Sequence, residues 1–71
     1  MLELALRGEY IELDKLLKAM ALVESGGAAR MRITAGEVKV DGQVELRKTA
    51  KIRAGQRVEF DGQQVMVTAP D

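Results

Sequence analysis

The stretch that most constrains the fold is Ser25–Gly42, whose sequence is SGGAARMRITAGEVKVDG. Within it, the spacing of apolar residues changes from a helical repeat to the alternation that is typical of a β-strand. Ser25 is a favourable helix N-cap, and Gly36 stands where a helix commonly ends in the left-handed conformation. We therefore predict a helix at about residues 26–34, followed directly by a strand.

Upstream of this stretch, a second apolar repeat predicts another helix at about residues 12–21. Its side chains fall at i, i+3, i+4 and i+7 and form one stripe, made of Leu13, Leu16, Leu17 and Met20. Before it, alternating leucines in residues 2–6 predict a short strand, and Arg7-Gly8-Glu9 predicts a turn. The chain is therefore expected to combine two short helices with strands on both sides of them.

The first hairpin after the helices is expected at Asp41-Gly42. A two-residue loop there would mix apolar and polar side chains on one face of the hairpin. A three-residue loop that includes Gln43 would instead place Val40 opposite Val44. Because register follows the buried face of a strand, we predict the three-residue loop.

A second hairpin is expected at Asp61-Gly62, where a two-residue loop places Val58 opposite Val65. In the polar segment between the hairpins, Ile52 is the single candidate for an inward side chain. The predicted core consists of Leu13, Leu16, Leu17, Met20, Ala29, Ile33, Val38, Val40, Val58 and Phe60.

The available residue types argue against catalysis. The chain of 71 residues has neither cysteine nor histidine, so it lacks a thiolate, the commonest general base and the commonest metal ligand. Such a short chain also has little room for a pocket of the usual ~300–1,000 Å³ beside its core. Gly26-Gly27 stands at the N-terminus of a predicted helix and could bind a phosphate there, but the flanking pattern of a nucleotide-binding loop is absent. We expect one non-catalytic domain over residues 1–71, with no cofactor, metal or small-molecule substrate.

The N-terminus has no basic region ahead of an apolar run, and no apolar stretch approaches the length of a membrane span. Since the chain also lacks cysteine, we expect a cytoplasmic protein without a membrane partner.

Charge is distributed unevenly, although the formal net charge is zero. Residues 1–24 carry three basic and five acidic side chains (net −2), whereas residues 25–57 carry eight and three (net +5). Residues 58–71 carry three acidic side chains and no basic ones (net −3). The basic excess in the middle is typical of a polyanion site, because clustered cations gain from counterion release when they bind phosphates.

The two aromatic residues, Tyr10 and Phe60, both lie outside the most basic run of the sequence. Modules that bind single strands present exposed aromatic rings on which bases stack. The absence of such rings from the basic run favours structured RNA, recognised by shape and phosphate backbone.

Two parts of the chain resemble the S-four domain, the αL-motif RNA-binding domain of the small-subunit ribosomal protein of that number. Residues 13–17 are similar to its L-D-K-L-L opening, and residues 25–42 follow its S-R-x-x-A-R-x-L-I-x-x-G-x-V-x-V-N-G spacing at Ser25, Ala29, Arg30, Ile33, Gly36, Val38, Val40 and Gly42. The small standalone bacterial YbcJ-like members are the most similar, because residues 45–48 carry their E-x-R-K run. Three residues depart from the spacing, namely Gly26, Arg32 and Asp41.

The resemblance implies an α+β fold in which two short helices pack in an L against a small antiparallel sheet of about 3–5 strands, with residues 13–58 as the motif core. It also implies a non-catalytic monomer that binds structured RNA, either rRNA or tRNA, with the ribosomal subunit as a further candidate partner. The expected RNA-binding residues are Ser25, Gly26, Gly27, Arg30, Lys39, Arg47, Lys48, Lys51 and Arg53. The alternative is a protein-interaction adaptor whose basic face binds an acidic partner within a ribonucleoprotein.

Overall fold

The computed structural model describes residues 1–70. In the first half of the chain, two short helices pack against each other. Helix α1 spans Leu13–Ala19 and is shorter than predicted. It ends because Ala21 adopts a φ of +57°, and the N–H groups of Ala21 and Leu22 donate to the carbonyls of Lys18 and Leu17. This is a Schellman termination without glycine, and the missing glycine is the reason the apolar repeat predicted a longer helix.

Helix α2 spans Gly26–Thr34 and has both of the predicted termini. The Ser25 Oγ accepts the N–H of Ala28 at 3.1 Å, as an N-cap does. At the other end, Gly36 has a φ of +79° and donates its N–H to the carbonyl of Ile33. Both helix boundaries thus follow from local capping chemistry that is visible in the sequence.

Residues 1–70 contain seven strands: β1 (Leu2–Ala5), β2 (Ile11–Glu12), β3 (Val38–Val40), β4 (Gln43–Val44), β5 (Lys51–Ile52), β6 (Arg57–Phe60) and β7 (Gln63–Thr68). Five of them form a sheet in the order β1-β7-β6-β3-β4, and β2 and β5 form a separate antiparallel pair. The predicted α+β fold is confirmed. The sheet is mixed rather than wholly antiparallel, because β1 joins β7 in parallel.

The register predicted for the first hairpin is wrong. Val40 pairs with Gln43, so the loop contains only the two residues Asp41 and Gly42. Their φ angles are +51° and +84°, as a type I′ turn requires. Val44 is 51% exposed, so there was no buried face at this edge strand to fix the register. The conformational preference of Asp-Gly decides the pairing instead.

The second hairpin has the predicted two-residue loop and the predicted pairing of Val58 with Val65. Asp61 and Gly62 have φ angles of +51° and +76°, so this loop is also of the I′ type. In both hairpins of the sheet, an Asp-Gly pair sets the register.

The core lies between the two helices and one face of the large sheet. Eight of the ten predicted core residues are buried, whereas Met20 and Val40 are only partly buried against its edge. Five further hydrophobic residues are buried that were not in the predicted core: Leu6, Ala50, Ile52, Val65 and Val67. Neither helix within residues 1–70 has the length and apolar character that crossing a membrane requires.

Candidate nucleic-acid interface

The run Arg47–Arg53, called the basic segment below, is fixed to the start of helix α1 through its backbone. The N–H of Leu13 donates to the carbonyl of Ala50 at 2.9 Å, and the N–H of Asp14 donates to the carbonyl of Lys48 at 3.1 Å. The first N–H groups of a helix have no partner within the helix, and the N-cap residue Glu12 offers no side-chain hydrogen bond here. The basic segment therefore caps helix α1, and these hydrogen bonds fix the backbone of the segment relative to the helix.

The short β2–β5 pair decides which side chains of the basic segment point outward. Ile11 pairs with Ile52, and Ile52 is buried, as its inward placement in the sequence predicted. Successive side chains of a strand point to opposite sides, so Lys51 and Arg53 face away from the core. Both are exposed.

Tyr10 belongs to this surface, which sequence reasoning missed. The Lys51 Nζ lies 5.0 Å from the centroid of the Tyr10 ring, and the Arg53 Cζ lies 5.6 Å from it. Tyr10 is 41% exposed. The premise that no aromatic side chain accompanies the basic run is therefore wrong in three dimensions, because the strand pair brings Tyr10 next to residues far along the chain.

Arg47 has a carboxylate partner within the chain. Its Nη2 lies 2.9 Å from the Glu45 Oε1, and its Nε and backbone N–H both donate to the Glu45 Oε2 at 3.0 Å. The hydrogen bonding from the Arg47 side chain, followed by that from its backbone N–H, lowers the pKa of Glu45 from about 4.5 to about 2. The same side-chain hydrogen bonding raises the pKa of Arg47. Among residues 1–70, Lys48, Lys51 and Arg53 make no ion pair.

The expected residues at the start of helix α2 lie together, but the structure gives them separate tasks. Ser25 is engaged as the N-cap. The guanidinium of Arg30 folds over Gly26, where an added Cβ would lie 3.2 Å from the Arg30 Nη1. That nitrogen also donates to the Oδ2 of the buried Asp14 at 3.4 Å. The absence of a side chain at Gly26 therefore leaves room for Arg30 to reach helix α1, while Gly27 is exposed beside it.

Arg30 also lines a shallow groove between the helices, called the helix groove below. Its volume is about 200 Å³, and it is lined by Asp14, Lys15, Lys18, Gly26 and Arg30. The Lys15 Nζ lies 2.9 Å from the Glu12 Oε1, and this hydrogen-bonded pair raises the pKa of Lys15. Lys15 and Lys18 were not predicted as site residues, although their spacing of three on a helix places them on one side.

Lys39 lies elsewhere. It is exposed on β3 and lines a depression together with Glu37, Glu59 and Asp61. In the antiparallel register it stands directly opposite Glu59. Lys39 therefore lies on the large sheet among carboxylates, whereas the basic segment is hydrogen-bonded to helix α1.

Arg32, which departs from the family spacing, has a defined environment. Its Nη1 donates to the Glu37 Oε1 at 2.7 Å, and its Cζ lies 5.7 Å from the centroid of the Phe60 ring. The side chain thus covers an edge of the core and joins the end of helix α2 to the chain that follows it.

Comparison with known proteins agrees with this architecture. YbcJ of Escherichia coli (strain K12) is 52% identical over 60 residues, which cover 84% of this chain and 86% of that protein. YbcJ of Shigella flexneri matches with the same identity and coverage. The solution structure of YbcJ from E. coli, described as revealing an αL motif involved in RNA binding, superposes with a TM-score of 0.75 at 47% identity. That match covers 97% of this chain and 89% of the other.

The model of the S4 (S-four) domain matches residues 4–68, which is nearly the whole chain. This range contains both helices, the basic segment and all strands except the first two residues of β1. The resemblance seen in the sequence motif therefore extends over nearly the whole fold. The chain belongs to the S4 domain family.

Proposed function

We propose that this protein is a non-catalytic module that binds structured RNA, rRNA or tRNA, through its basic segment. The observation that carries the proposal is the combination of unpaired charge and a fixed backbone. Lys48, Lys51 and Arg53 make no ion pair among residues 1–70, while the backbone of their segment is hydrogen-bonded to helix α1. A backbone that is fixed before binding reduces the conformational freedom that the segment loses when its cations meet phosphates.

The relatives support the class of ligand. The YbcJ structure from E. coli is described as containing an αL motif involved in RNA binding, and it shares this fold at 47% identity. The residue types support the absence of catalysis, because a chain without histidine and cysteine lacks the commonest general base and the strongest nucleophile. We further propose that the protein acts as a monomer in the cytoplasm, where it binds a folded RNA such as that of a ribosomal subunit.

The interface that we propose comprises the basic segment together with the helix groove and the start of helix α2. Ser25, Gly26 and Gly27 would contribute backbone geometry, and Lys15, Lys18 and Arg30 would contribute charge at its margin. Lys39 is left out, because Glu37, Glu59 and Asp61 share its depression.

A double charge reversal, Lys48→Glu with Lys51→Glu, tests the proposal. Each phosphate contact adds about one unit to the slope of log K against log salt, so we expect at least about a hundredfold weaker binding of an rRNA or tRNA hairpin at low salt. Lys39→Glu with Arg57→Glu is the matched control, because it changes the net charge equally on the large sheet. Binding is measured by fluorescence anisotropy, and circular dichroism verifies that both variants are folded.

Equal losses in the two double variants would contradict the placement of the interface on the basic segment. If the wild-type protein fails to bind any structured RNA at low salt, yet binds an acidic peptide that heparin displaces, the protein is an adaptor for an acidic partner. Salt dependence alone does not separate these cases, because salt screens both interactions.

A further inference from the structure

Tyr10 presents an exposed aromatic side chain, which binding to a phosphate backbone does not require. The residue precedes β2 and stands, in the register of the β2–β5 pair, across from Arg53. Its side chain points away from the core, as the burial of Ile52 beside it requires. The result is an exposed tyrosine whose ring has two cations within 6 Å of its centroid.

The chemistry of this arrangement matches a nucleotide rather than a phosphate alone. An exposed aromatic ring offers a face on which a nucleobase can stack, and nearby cations can meet the phosphates that flank the base. A depression of about 480 Å³, lined by Arg47, Thr49, Ala50 and Lys51, adjoins the ring through Lys51.

The two cations do not block the ring. Lys51 and Arg53 are exposed and have long, flexible side chains. A cation–π contact at an exposed site is weaker than the stacking of a base on an aromatic side chain. A base can therefore replace the cations at the ring while they turn toward phosphates.

We propose that Tyr10, flanked by Lys51 and Arg53, is a stacking platform for one unpaired base of the bound RNA. A continuous RNA helix keeps its bases stacked inside, so only a bulged or looped-out nucleotide can reach the ring. The proposal rests on the proposed function and narrows it. The ligand is a structured RNA that carries an unpaired nucleotide next to the helix whose phosphates meet the basic segment.

Two RNA hairpins test this subsite, one with a fully paired stem and one with the same stem interrupted by a single unpaired adenosine. The wild-type protein should bind the bulged hairpin about tenfold more tightly, as expected for one stacked base. Tyr10→Leu should remove this preference, so that the two hairpins bind with equal affinity. Tyr10→Phe should retain the preference, because it keeps the aromatic face.

Tyrosine fluorescence provides a direct readout. Tyr10 is the only tyrosine and the chain has no tryptophan, so the emission reports on this ring. The bulged hairpin should quench it more than the paired hairpin does at equal concentration. A bulge that carries an abasic nucleotide should behave like the paired hairpin.

The outcomes separate the two proposals. If the paired hairpin binds but the wild-type protein shows no preference for the bulge, the stacking platform is wrong and the proposed function stands. A loss that is equal for both hairpins in Tyr10→Leu, together with a lower melting temperature, would assign Tyr10 a structural role only. If neither hairpin binds at low salt, both proposals fail.

Discussion

The basic segment and the helix groove both carry cations, but they differ in how many of these cations have a carboxylate partner within the protein. In the groove, Lys15 lies 2.9 Å from a carboxylate oxygen of Glu12, and Arg30 lies 3.4 Å from one of the buried Asp14. In the basic segment, Arg47 is the one cation with such a partner among residues 1–70. The groove is therefore largely neutralised from within, and the basic segment is not.

The number of cations on a surface is therefore a poor measure of the charge that is available to a ligand. A cation that already has a carboxylate partner must share or leave it before it meets a phosphate, and that exchange reduces the net gain. The unpaired lysines of the basic segment exchange only water and counterions. We therefore expect the segment to dominate the electrostatic part of RNA binding, with the groove in a lesser role.

The largest expected effect is on the salt dependence of RNA binding, when two cations are removed from the basic segment and, for comparison, two from the helix groove. Lys48→Ala with Lys51→Ala should reduce the slope of log K against log salt by about two units, since both cations are unpaired. Lys15→Ala with Arg30→Ala removes the same charge from paired positions, and it should reduce the slope by clearly less than one unit. Both are measured by titrating one RNA hairpin at several salt concentrations.

The same experiment can also show that the groove contributes as much to RNA binding as the basic segment does, or more. If the groove variant loses as much slope as the segment variant, pairing with Glu12 and Asp14 does not withhold those cations from RNA. A larger loss in the groove variant would move the centre of the interface to the helices.

The prediction of helix α2 from sequence succeeded because its signals are local. Ser25 and Gly36 act on neighbouring backbone groups, so their effect does not depend on the rest of the fold. The first hairpin was predicted wrongly for the opposite reason, because the argument assumed a buried position for Val44, which is exposed. Burial is a tertiary property that the pattern of a two-residue strand cannot indicate.

The sequence also indicated the basic segment but not its partners. Tyr10 meets Lys51 and Arg53 across a strand pair that is only two residues long on each side. No periodicity can be recognised over so few residues. The pairing of Arg30 with Asp14 likewise depends on how the two helices pack, which their separate apolar stripes do not specify.

A smaller effect is expected from Asp14→Asn, which leaves Arg30 without its carboxylate. Unpaired Arg30 should increase the salt slope for RNA binding by up to about one unit. Stability should fall by about 1 kcal/mol or less, because Arg30 is half-exposed and the amide oxygen can still accept the N–H of Lys15. The measurements are salt titrations and urea unfolding.

Adding Arg30→Ala to this variant supplies the control. The slope should return to the wild-type value or below it, because the released cation is then missing. An increased slope that persists in the double variant would show that Arg30 is not its source. Pairing of Arg30 with Asp14 would then not explain the lesser role of the groove.

The smallest expected effect concerns Glu45, the carboxylate that neutralises Arg47. Glu45→Gln should release Arg47 and tighten RNA binding a few-fold at low salt, whereas Glu24→Gln changes the net charge equally without releasing a paired cation. An equal gain in both variants would mean that net charge alone, and not the release of Arg47, explains the change.

The same pair gives a pH dependence with a definite sign. The pKa of Glu45 is about 2 in the folded protein and about 4.5 ordinarily, so the pair stabilises the fold above about pH 4.5. This contribution is lost as the pH falls toward 2, because protonation of Glu45 removes its charge. The difference in melting temperature between the wild-type protein and Glu45→Gln should therefore be present at pH 6 and disappear near pH 2. A difference that stays constant over this range would show that Glu45 acts through packing, and Arg47 would then rank with the unpaired cations of the segment.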